Sequence, residues 1–160
     1  MLGPHPARDH RALPFCAQTI IAPVTLAVDS LGAAATAAAF AGALGAELVL
    51  AGITPLVPFD IEHLLEDRLP RPLADQHILD RMVAERLEEV TSALAAGVRA
   101  RTLLLRGSVG ATLVKAAAAT GADLIVVPLR DESEFPDRYV LHHSDVPVLV
   151  VPTRRTAFAG

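Results

Sequence analysis

Aromatic residues make up only 4% of this 160-residue chain, tryptophan is absent, and cysteine occurs once, at Cys16. A core without large rings must be built from Ala, Val, Leu and Ile, and the hydrophobic fraction of 52% supplies them. One cysteine closes no intramolecular disulfide, which fits a reducing compartment. Cys16 reads as a small buried or tail thiol rather than a nucleophile. An excess of positive charge is missing too. Fourteen basic against 18 acidic residues leave a formal charge of -4. Nucleic acid would gain little from such a surface. No apolar run reaches the ~20 residues of a membrane span, because Pro, Gly or Asp interrupts each one. No charged segment followed by an apolar one opens the chain. The expectation is a soluble, cytoplasmic, single-domain protein.

Catalytic signatures are also lacking. There is no Gly-x-Gly-x-x-Gly and no Walker lysine loop. Arg106-Gly107-Ser108-Val109-Gly110 is not a nucleophile elbow, since its first position is Arg. His5, His10, His63 and His77 are scattered. His142 and His143 are adjacent, so on a helix they point about 100° apart and would not grip one ion together. No Cys or carboxylate cluster sits near them at ligand spacing. The reading is no metal, no cofactor and no enzymatic activity.

What is present is an alternation of two periodicities. Met1 to Pro14 holds three prolines and no pattern, and residues 1–17 are expected to be a mobile tail. Thr19 to Val28 reads as a buried strand, although Pro23 weakens it. Asp29-Ser30 then offers two good helix caps. Leu31 to Leu44 is alanine-rich, a helix able to lie close to a sheet, and Gly45 is placed to end it. Glu47 to Ile53 is a second strand. Residues 54–72 form a long proline-bearing connection, expected to fold back as a lid or short helix. From Leu73 to Ala96, Leu79, Val83, Leu87, Val90 and Leu94 recur at three- and four-residue steps and share one helix face. Asp80, Arg81, Glu85, Glu88 and Glu89 read as its wet faces. Val98 to Leu105, Ala122 to Val127 and Val146 to Val151 are three further strands. Val109 to Thr120 and Asp137 to His143 are helices, and residues 154–160 are a second tail. Continuous rather than alternating apolar strands indicate burial on both faces. The fold class is therefore α/β, a doubly wound five-stranded parallel sheet with helices on both sides, forming one domain over residues 18–153. Ligands of such sheets sit at the carboxyl ends of the strands.

Three segments resemble the universal stress protein family: Ala27-Val28-Asp29-Ser30, the run Gly121-Ala122-Asp123-Leu124-Ile125-Val126-Val127, and Val140-Leu141-His142-His143 with the last strand. The resemblance covers roughly residues 19 to 152. It implies a strand order of 3-2-1-4-5, a fold like that of the adenine nucleotide alpha hydrolases, and a homodimer. Family members that bind ATP carry Gly-two residues-Gly-nine residues-Gly-Ser/Thr after the fourth strand, where glycines bring backbone amides to the phosphates. Here Pro128-Leu129-Arg130-Asp131-Glu132-Ser133-Glu134-Phe135 has no glycine and three carboxylates. Like charges ~4 Å apart cost ~1 kcal/mol even in water. ATP is therefore not expected to bind in the family manner. Related adenylating enzymes carry Ser-Gly-Gly before an Asp-Ser pair. Here Leu26-Ala27-Val28 precede Asp29-Ser30, which argues against pyrophosphatase-type chemistry.

Candidate ligand positions follow from strand ends. Asp29 matches the family aspartate on the adenine side of the nucleotide, and reads equally as a helix cap. Gly107, Ser108 and Gly110 at a helix start, with Arg106, would suit a small anion, and Ser108 reads equally as a cap. Pro128 closes the fourth strand. The last strand, with Val146, Val148, Leu149, Val150 and Val151, is apolar and stands at a sheet edge in the implied order. Pairing with a second copy would cover it, with Pro147 and Pro152 limiting the ladder. The function expected is a non-enzymatic stress-response or regulatory module acting as a homodimer. The alternative is a nucleotide-binding member with an altered phosphate loop.

Overall fold

The computed structural model describes residues 16–57, 71–94, 96–129 and 136–152. The expected terminal tails, apart from Cys16 and Ala17, lie outside those residues. So do residues 58–70, the greater part of the lid expected over 54–72, and most of the acidic loop, at 130–135. The element order is β1 (Thr19–Val24), α1 (Ser30–Leu44), β2 (Glu47–Thr54), α2 (Arg71–Leu94), β3 (Ala100–Arg106), α3 (Val109–Thr120), β4 (Leu124–Leu129), α4 (Pro136–His143) and β5 (Val148–Pro152). All neighbouring strands are parallel, in the order β3-β2-β1-β4-β5. The expected architecture and strand order are what the molecule has.

The three central strands are buried on both faces, which is why they read as unbroken apolar runs, whereas β3 is largely exposed and β5 half-buried. Ile20, Ala22, Val24, Leu48, Leu50 and Val126 pack with Ala33, Ala37 and Ala41 of α1 and with Leu87 and Val90 of α2. Ile21, Val49, Ala51, Ile53, Ile125 and Val127 pack with Leu113, Ala116 and Ala117 of α3 and Val140 of α4. The alanine face of α1 brings that helix close to β1 and β4. Gly52 does the same for α2: a Cβ there would stand 3.1 Å from Leu87 Cδ2 and 3.2 Å from Val83 Cγ1.

Most boundaries shift by one or two residues from the sequence reading, and two of the differences bear on the site. β1 ends at Val24, not Val28. The chain turns out of the sheet because short-range partners outcompete the ladder. Ser30 Oγ accepts from Thr25 N at 3.3 Å and donates to Ala27 O at 2.9 Å, while Thr25 Oγ1 accepts from Ala27 N at 3.2 Å. β4 runs on to Leu129, so Pro128 lies within the strand, opposite Val151 of β5.

The two central strands are joined unequally along their length. At the amino pole, Asp123 Oδ2 accepts from Gln18 N at 2.8 Å and Thr19 N at 3.1 Å, and Asp123 N donates to Thr19 O at 2.8 Å. Beyond Ile20 opposite Leu124 and Ile21 opposite Ile125, β1 and β4 share no further rung. Pro23 and Pro128 have no N–H to offer one. A central-strand proline is tolerated here because the ladder has already stopped beside it. The result is a sheet pinned at one pole and parted at the other, at the point where strand order reverses. Asp123→Ala should lower stability by about 1–3 kcal/mol, the range for losing hydrogen bonds to a charged acceptor. Urea unfolding would measure it, and an unchanged midpoint would show that the carboxylate does not pin β1.

Candidate functional site

The parted carboxyl ends of β1 and β4 form the crevice in which open α/β sheets hold ligands. Its β1 side continues into the turn 25–29 and its β4 side ends at Pro128-Leu129. Leu26 and Val28 of the turn are exposed, Val28 to 77%. Leu56, after β2, and Leu129 are exposed at the same pole. Large side chains left in water at a strand-switch point mark a surface that meets something else.

Asp29 is not at a strand end. It lies five residues past β1, in a right-handed helical conformation (φ -64°, ψ -24°), and makes no capping hydrogen bond to α1. The local anchor is the buried Ser30 beside it, bonded to Thr25 and Ala27. By chain position Pro128 lies on the β4 side of this switch point, and Asp29 closes the turn on its β1 side. The other candidates lie elsewhere. β3 is an outer strand, two inter-strand spacings or about 10 Å from β1, so Arg106, Gly107, Ser108 and Gly110 stand apart at the sheet edge.

Nor do those four converge on one point. Arg106 pairs in register with Thr54 of β2, and its guanidinium meets Asp80 of α2, while Ser108 leads α3 on the opposite face of the sheet. Ser108 makes no side-chain cap bond, and Gly110 is buried in the first turn of α3. Gly107 is required by geometry: its φ is +140°, its N–H donates to Thr54 O at 3.0 Å, and a Cβ would fall 2.5 Å from Thr112 Oγ1. The anion site drawn from the sequence has lost its cation to an ion pair.

That ion pair is the best-formed polar cluster among the described residues. Arg106 Nε donates to Asp80 Oδ2 at 2.9 Å, and Arg106 Nη2 donates to the same oxygen. Gln76 Nε2 donates to Asp80 Oδ1 at 3.1 Å. The fully buried Thr54 hydroxyl faces the carboxylate without closing a hydrogen bond. Asp80 was expected on the wet face of α2, yet its side chain is only 12% exposed. Gln76, Asp80, Val83, Leu87 and Val90 follow at helical steps of four, three, four and three, so the face read as apolar begins with two polar residues. That spacing was visible in the sequence, and charge alone hid it. Hydrogen bonding to Arg106 holds the Asp80 carboxyl below its ordinary value of 3.8; burial opposes this and Gln76 reinforces it. The same pairing raises Arg106.

Two further features complete the survey. A cavity of about 550 Å³ at the amino pole is lined by Cys16, Gln18, Thr19, Leu44, Glu47 and Arg99, so Cys16 is an exposed thiol and not a buried one. His143 stacks on Tyr139 at 3.9 Å, with Nδ1 2.9 Å from the Tyr139 carbonyl. Among the described residues, no group of three or more His, Cys, Asp or Glu is placed to hold a metal ion. No helix of theirs is long and apolar enough to cross a membrane.

The depressed Asp80 pKa fixes a sign. Its ionised form is favoured in the folded chain, so its contribution is fully present above pH 3.8 and is lost as pH falls through the lower folded value. The stability gap between wild type and Asp80→Asn should thus be constant near neutrality and shrink below about pH 4. Urea midpoints across that range would show it, and a gap that widens on acidification would contradict the pairing.

The sequence matches the model of the universal stress protein family over residues 17–152. No curated protein matches it. Among solved structures, a universal stress protein in complex with cAMP is 21% identical, with a TM-score of 0.66 over 88% of this chain and 100% of that one. The universal stress protein UspA from Lactobacillus plantarum is 17% identical, with a TM-score of 0.72 over 84% and 97%. The universal stress protein from Archaeoglobus fulgidus in complex with dAMP is 16% identical, with a TM-score of 0.52 over 85% and 98%. With the strand order, the parted central strands and a family match across nearly all of the described residues, the chain belongs to the universal stress protein family.

Proposed function

We propose that this chain is a non-enzymatic regulatory member of the universal stress protein family that does not hold ATP through a glycine phosphate loop, and that it works as a homodimer in the cytoplasm. The observation that carries the reading is the segment 128–135. It offers no glycine to let backbone amides close round a triphosphate, and its sequence carries Asp131, Glu132 and Glu134, whose charge opposes one. Arg106, the basic side chain at the end of β3, is engaged with Asp80. No nucleophile with an adjacent base supports a hydrolytic reading.

A second reading has its own support. Two structural relatives are described with cAMP and dAMP, each carrying a single phosphate. One phosphate asks much less of a loop than three. Under this reading Asp29 and Pro128 flank an adenine nucleotide of that class in the crevice.

Melting curves separate the two. A ligand at 100 times its dissociation constant adds about 2.7 kcal/mol of stability. The first reading expects no upward shift with ATP and magnesium in excess. A clear shift with ATP rejects it, and a shift with AMP or cAMP but not ATP supports the second.

The dimer rests on β5. It is the outer strand beside β4, and Val148, Leu149, Val150 and Val151 are only half-buried in the single chain. Val146 precedes the strand, its amide bonded to Ser144 Oγ at 3.1 Å. An apolar edge of this kind is satisfied by a second copy. Sedimentation of Leu149→Lys should show monomer or aggregate. An unchanged dimer would refute the β5 interface.

A further inference from the structure

After Thr54 the chain leaves the sheet, and residues 55–57 have no strand neighbour. Two of their backbone groups are met by one side chain. Gln76 Nε2 donates to Pro55 O at 3.2 Å, and Gln76 Oε1 accepts from Val57 N at 2.9 Å. A carboxamide carries the same donor and acceptor as a peptide group. Gln76 therefore serves this strap as a rung of β-ladder would.

The rung is itself held in place. Gln76 Nε2 also donates to Asp80 Oδ1 at 3.1 Å, one helical turn along α2. Asp80 is held in turn by Arg106 at the end of β3. The bonds run in a chain from β3 through α2 to the strap, and each member orients the next. A lone Gln on a helix has several rotamers to lose; one fixed by a buried carboxylate has already lost them.

We propose that Gln76 is a latch holding residues 55–57 against α2, and that Asp80 and Arg106 are positioning residues that act through it. Latched, the strap keeps Leu56 65% exposed at the carboxyl pole. Released, the Pro55 carbonyl and the Val57 amide turn to water or to another chain. The Arg106 side chain is 59% exposed, so an anion in solution can reach it. An anion that draws Arg106 from Asp80 loosens Gln76 and frees the strap. The exit of β2 and the end of β3 then respond as one unit. This device is independent of whether the crevice holds a nucleotide.

Amide hydrogen exchange followed by NMR at neutral pH tests it. Gln76→Leu should speed exchange at Val57 by about tenfold or more, while amides in the middle of β2 keep their rates. Asp80→Ala and Arg106→Ala, neither of which touches the strap, should speed Val57 in the same direction. Arg106→Lys should restore much of the protection. Equal Val57 rates in wild type and Gln76→Leu, or no effect of Asp80→Ala, would overturn the latch. Should a variant fail to fold, the wild-type spectrum decides. The latch requires a close proton contact between the Gln76 carboxamide and the Val57 amide, and the absence of that contact rejects it.

Discussion

One carboxylate sets the shape of the central sheet. Asp123 takes the amides of Gln18 and Thr19 at the amino pole, where β1 and β4 begin their ladder. Two rungs later the ladder ends, beside strands that carry Pro23 and Pro128. A parallel pair that is tied at its start and loses a donor on each strand further on has less to hold it together there. Everything at the carboxyl pole follows: the crevice, the turn that carries Leu26 and Val28, and the position of Leu129 across from it.

The helices manage polarity differently. Around α1 and α3, on opposite faces of the sheet, the packing is almost wholly aliphatic, with alanine and glycine allowing close approach. In the first half of α2, a charged side chain sits at the rim of the core. It is tolerated because Arg106 and Gln76 occupy its lone pairs; a bare carboxylate in that place would be costly. The pair is not screened on all sides, since Arg106 remains in contact with water. Its value is orientation more than binding strength: it fixes one end of α2 relative to two strand ends.

Family membership and ligand chemistry rest on different parts of the chain. The fold is carried by the apolar strands and the Asp123 clamp. A triphosphate would be carried by glycines after β4, and none stands between Leu129 and Pro136. A fold kept while a loop is replaced is the expected route to a changed ligand, because sites are grafted on folds.

The sequence by itself determined the α/β class, the five strands, the alanine helix with its glycine stop, and the edge position of the last strand in the implied order. The elements depend on local periodicity and on burial, which a linear pattern records, and the edge position came from the family resemblance. It also showed that the acidic segment lacks glycine. It could not show where β1 leaves the sheet, because Leu26, Ala27 and Val28 are as apolar as the strand before them, and only the closure of Ser30 on Thr25 turns the chain. It could not show that Arg106 is engaged, or that Asp80 belongs to the packed face, because the partners are 26 residues apart. Pairings of that kind exist only once the sheet brings β3 beside β2 and sets α2 across them. Hydrogen bonds between distant residues were therefore decided by the tertiary structure, and local periodicity was not.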